Sequence, residues 1–218
     1  HQHTHDRRQR QMCIRDSVGT DTAAGAAVVT IGNADTASIT FGGVELTSSG
    51  LQLFTADGYS ITGLDSTFAT SNANITFANG GAGAITLGDT ADLTLSTELG
   101  GSGAGDIGVE VAIDGAQTLT VSSGSGAVDF AGIIGGTTAL GDLTINSSGG
   151  TGTIDIEQIG DGDIFGGVRG TVAIGNAATS QVEFDGTIYK FENVTGASDT
   201  VTITCLLYTS PSPRDGHQ

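Results

Sequence analysis

Short runs in which apolar and polar residues alternate constrain this chain more than any other feature. They include Ser38-Ile39-Thr40-Phe41, Asn74-Ile75-Thr76-Phe77, Ala84-Ile85-Thr86-Leu87 and Asp92-Leu93-Thr94-Leu95. Val109-Glu110-Val111, Leu119-Thr120-Val121, Val128-Asp129-Phe130, Leu143-Thr144-Ile145, Ile154-Asp155-Ile156 and Val182-Glu183-Phe184 continue the series. Each puts two apolar side chains on one face and a Thr, Asp or Glu on the other, which is the period of a β-strand. Glycine-rich turns such as Gly42-Gly43, Gly100-Gly101, Gly135-Gly136 and Gly149-Gly150 separate them. No segment joins a 3.6-residue apolar period to a cap, so almost no helix is expected.

Even spacing of short strands fits a sandwich, a barrel or a solenoid. Repetition decides for the solenoid. Ile31 to Gly43 matches Ile174 to Gly186 at seven of thirteen positions with a constant offset of 143, beginning with Ile-Gly-Asn-Ala in both. The match reads as one long repeat and the start of the next, with smaller strand-turn units inside it. At roughly 20–30 residues per coil the chain would make about six to nine coils. The expected fold is all-β: a parallel β-helix (β-solenoid) of short strands and Gly-rich turns, with disordered termini.

The two ends differ in kind from the middle. All four His, both Cys, both Pro, the single Met and five of the seven cationic residues lie there. Cys205 to Ser210 can be coded as TGT CTC TTA TAC ACA TCT, whose reverse complement contains ATG TGT ATA AGA GAC, or Met-Cys-Ile-Arg-Asp. That is Met12 to Asp16. An inverted pair of DNA ends explains such a relation directly. The strings RRQRQMCIRDS and CLLYTSPSPRD resemble translated transposon-end adapters of sequencing libraries. Residues 1–17 and 205–218 are therefore expected to be adapter-derived and unstructured, leaving 18–204 as the β-solenoid repeat segment. The other reading is a basic arm closed by a Cys13–Cys205 disulfide.

Between those ends, 21 acidic residues face only Arg169 and Lys190. Such a charge repels phosphate backbones and anionic lipid, so no nucleic-acid partner is expected. The middle has no Cys, which fits neither a disulfide scaffold nor a thiolate metal site. It has no His either, so a hydroxyl nucleophile would lack its usual base, and no catalytic residue is assigned. Carboxylate pairs for glycoside hydrolysis would need a cleft that splits their pKa values.

Gly103-Ala104-Gly105-Asp106-Ile107-Gly108 has the G-x-G-x-x-G spacing but precedes a strand instead of opening a helix, so the phosphate-binding mechanism is missing. Gly160-Asp161-Gly162-Asp163 is the metal candidate. It resembles the Gly-Asp turns of calcium-loaded β-rolls, with Asp161 and Asp163 as Ca²⁺ ligands. A solvated acidic turn is the default reading of the same residues. Asn74, Asn146 and Asn193 fit the N-x-[ST] pattern. Tyr59, Phe68, Tyr189 and Phe191 are either exposed binding spots or core, and core is the expectation.

Ser125 to Phe130, Ile134 to Leu140 and Leu143 to Ile145 resemble repeats of very large bacterial exoproteins, the filamentous-haemagglutinin-like and autotransporter-like adhesins. Ile174 to Thr179, continued through Asp185 to Lys190, is similar to another of their recurring units. The resemblance implies a right-handed parallel β-helix and export to the cell surface. It also implies a structural or adhesive role toward a host or neighbouring-cell glycan or protein, with the rest of its own long chain as neighbour. It implies no catalysis and no cofactor. Two other functions remain open: a calcium-binding β-roll or surface-layer module, and a β-helical carbohydrate-active enzyme.

Overall fold

The computed structural model describes residues 11–14, 28–100, 103–162, 165–191 and 201–205, with the backbone alone for 11–14. Among them are nineteen strands and no helix. β1 (Gln11–Ile14) stands first. β2 (Val29–Gly32), β3 (Ser38–Phe41) and β4 (Glu45–Ser48) make the first coil. β5 (Gln52–Ala56), β6 (Gly58–Ile61) and β7 (Ser66–Thr70) make the second, and β8 (Ile75–Asn79), β9 (Ala84–Leu87) and β10 (Leu93–Ser96) the third. β11 (Ile107–Val109), β12 (Ala112–Asp114) and β13 (Leu119–Ser122) form the fourth. In the fifth, β14 (Val128–Ile134) covers two faces before β15 (Leu143–Ile145), and β16 (Thr153–Ile159) and β17 (Val172–Ile174) do the same in the sixth. β18 (Gln181–Phe184) and β19 (Val201–Ile203) lie on that sixth coil.

All strand ladders are parallel and connect each coil to the next. The first face runs β2-β5-β8-β11-β14-β16-β18 and the third β4-β7-β10-β13-β15-β17-β19. The second runs β1-β3-β6-β9-β12 and continues through the later parts of β14 and β16. Between Phe130 and Ile133 the register of β14 shifts, so one strand turns the corner by a bulge. The molecule is a β-solenoid, as the alternation predicts.

Stacking in register brings like side chains together. Inside the first face, Val29, Gln52, Ile75, Ile107, Val128, Ile154 and Val182 form one column. Phe41, Phe54, Phe68 and Phe77 pack as one aromatic group in the first three coils, with centroids 4.7–5.4 Å apart. Tyr59 and Phe68 belong to this core, at 3% and 0% exposure, and Tyr189 and Phe191 pack half-buried against the same axis. The Tyr59 hydroxyl accepts from the Ala56 N–H (3.0 Å) and lies 2.6 Å from the Ala78 carbonyl, bracing the turn between first and second faces.

Polar side chains also connect coils. The Asp92 carboxylate accepts the Thr118 N–H (2.8 Å) one coil on, and Asp65 accepts that of Asp92 (3.1 Å). Asn74, Asp106 and Asp142 do the same for Asp106, Ala127 and Thr171. Each acceptor stands just before a strand, where it satisfies a backbone donor that the corner leaves open.

The 143-residue match has a different meaning from the one expected. Both copies build the same corner. Gly32 and Gly175 adopt φ of 82° and 72°, which a glycine tolerates without strain. Asn33 and Asn176 accept from the N–H two residues on, and Thr36 and Thr179 accept from the Asn N–H. Yet the first copy turns from first face to second, and the other from third face to first. The repeat is a portable corner with its following strand, not a unit that returns to the same orientation.

Of the terminal segments expected to be unstructured, 1–17 and 205–218, the described part is β1 and Cys205. Here β1 departs from expectation: it pairs with β3 from Gln11↔Ser38 to Ile14↔Phe41. An open strand edge presents unpaired N–H and C=O groups that a short alternating segment can fill whatever its origin. Cys205 is a free thiol, and the side chain of Cys13, its partner in the other reading, lies outside what is described.

Candidate functional site

Because inward positions take the apolar residues, chemistry falls to the outward columns. On the first face the outward column reads Thr30, Leu53, Thr76, Gly108, Asp129, Asp155, Glu183. It is uncharged for four coils and then acidic for three. Glu157 and Asp185 flank it just beyond the inward Ile156 and Phe184, which are paired. Carboxylate oxygens of Asp155, Glu183 and Asp185 all lie within 4.8 Å of one another.

Like charges placed directly opposite on neighbouring strands repel. Desolvation, then Asp185, Asp129, Glu183 and Glu157, push the Asp155 carboxyl above its ordinary value. The Gln181 amide donates to Glu183, the one neutral donor that the described side chains give this group. Chemically the ladder can attract a cation. Three carboxylates with water could satisfy the oxygen-rich shell that Ca²⁺ takes. Nothing in it resembles a nucleophile with its base.

The sequence candidates fall elsewhere. Asp161 is exposed in the long turn after β16, between Gly160 (φ 77°) and Gly162 (φ 90°). Asp163 lies outside the described residues. The acidic ladder was missed because its three acids are 26 and 28 residues apart. Its available signal was the recurring triplet of apolar, acid, apolar in Val128 to Phe130, Ile154 to Ile156 and Val182 to Phe184.

Other motifs are accounted for by packing. Gly103 to Gly108 forms the turn into β11, and Gly105 sits against the backbone of Ala73 with no room for a Cβ. Asn146 is buried; its Oδ1 accepts from the Ser123 N–H (2.8 Å) and its Nδ2 donates to the Ser123 Oγ (2.9 Å). Asn74 is engaged with Asp106. The Asn146 Nδ2 is thereby occupied inside the fold, whereas Asn74 is exposed and only its Oδ1 is engaged. Asn193 lies outside the described residues.

Comparison with known protein families, with curated proteins and with solved structures finds no match for this chain.

Proposed function

We propose that this chain is a non-catalytic structural and adhesive segment of a large exported bacterial surface protein. It works through length and a repeated wall, outside the cell, toward a glycan or protein on a host or neighbouring cell. One observation supports the reading: apolar side chains from all three faces pack along a single axis, leaving outward columns made mostly of Thr, Ser and acid. A part built this way can be lengthened without redesign, since each coil contacts only its neighbours.

The test is to duplicate residues 75–106, one coil by register. The longer protein should stay folded, keep its cross-section in small-angle scattering and extend by about 4.8 Å, one strand spacing. Its binding to immobilised cell-surface glycan or protein should rise with coil number. Unfolding on duplication, or binding abolished by a single surface substitution, would count against the reading.

The carboxylate ladder favours a second reading, a calcium-stabilised module. In that case Ca²⁺ would raise the melting temperature strongly in scanning calorimetry, and Asp155→Asn combined with Glu183→Gln would remove the rise.

A further inference from the structure

We propose that this chain stacks head to tail on a second copy of itself, the last coil of one adding parallel strands to the first coil of the next. The interface would repeat what the solenoid already makes between successive coils. Among the described residues no strand pairs with the outer edges of β2, β4, β18 or β19. The last coil also leaves Val201 and Ile203 at 47% and 44% exposure. Continuing the register would place Val29 on Val182 and Thr30 on Glu183 of the preceding copy, so inward meets inward and outward meets outward.

Charge sets the direction. The outward column of the first face ends in Asp155 and Glu183 at one end of the molecule and in Thr30 and Leu53 at the other. Head-to-tail contact puts the acidic end against the neutral one. Tail-to-tail contact would oppose acid with acid and forbid parallel pairing. The chain's net charge of −17 still opposes association, so salt should strengthen it. β1 already fills the edge of β3 and competes with an incoming strand there.

Hydrogen bonding marks the residues to change. Val29 N–H donates to Leu51 and Thr67 N–H to Val44, so alternation turns the Thr30 and Glu45 N–H groups toward the open edge. Proline at such positions leaves the fold's own ladder intact and blocks an added strand. The inference needs only the fold and stands or falls apart from the adhesive reading.

Sedimentation velocity on the full chain, across concentration and at low and high salt, tests it. The mass should grow into linear oligomers, more so at high salt. Thr30→Pro with Glu45→Pro should move the association midpoint at least about tenfold higher at unchanged melting temperature. Thr30→Asp should weaken association by opposing Glu183, Thr30→Lys should strengthen it, and removal of residues 1–17 should strengthen it by freeing β3. The Asp and Lys variants decide the matter should the proline variant fail to fold. A chain monomeric under all conditions, a closed dimer, or oligomers indifferent to Thr30 would overturn the proposal.

Discussion

Asp92 shows how a single residue serves two coils: its backbone N–H donates to Asp65 and its carboxylate accepts from the Thr118 N–H. Asp92→Ala should cost about 1 kcal/mol, whereas Asp92→Asn keeps an acceptor and should cost less; urea unfolding curves compare the two. Asp155 works in the opposite sense. Its folded pKa is raised, so the native state takes up a proton more readily than the unfolded chain. The penalty is fully present above the raised pKa and is relieved as pH falls through it. Asp155→Asn should therefore stabilise the protein at neutral pH, with the gain fading on acidification. A loss at pH 7 in melting experiments would contradict this.

Among elements, alternation located β3, β8, β9, β10, β13, β15 and β18 to within two residues, because each pairs two inward apolar side chains with an outward polar one. The second coil was harder to read. In β5 the inward positions are Gln52, Phe54 and Ala56 while Leu53 points outward, so the pattern looks reversed. Gln52 is held inside by hydrogen bonds from its amide to Leu46, Ser48 and Ala69. Val109-Glu110-Val111 was read as one strand, but a corner falls at Glu110, between β11 and β12. Both valines remain buried because the corner bends around the axis. Register also explains glycines that sequence alone leaves unassigned. Gly105, Gly126 and Gly152 each stand two residues before the first inward side chain of a first-face strand (Ile107, Val128, Ile154), and a Cβ on any of them would collide with the backbone of the coil before. Gly126→Ala should cost about 1–3 kcal/mol. Gly149→Ala, which meets nothing within 4 Å, should be near neutral in the same denaturation assay.

For the molecule as a whole, fold class was legible because alternation and turn spacing are local, while the carboxylate ladder was not. Which acids meet depends on summed corner lengths, and these vary from one residue at Asp57 to the long turn after β16. Stability should be graded for the same reason. The aromatic group ties the first three coils together, whereas no residue of β18 or β19 is fully buried. Amide hydrogen exchange should be slowest in β5 and β8 and fastest in β18 and β19; uniform protection would argue for one cooperative globule. The portable Gly-Asn-Ala corner carries a last consequence. Its two copies are separated by five coils and two further corners. In any chain that reiterated this spacing, a feature fixed to the corner would spiral like the stripe of a barber's pole. It would face a new direction at each recurrence and return to its starting side only on the third.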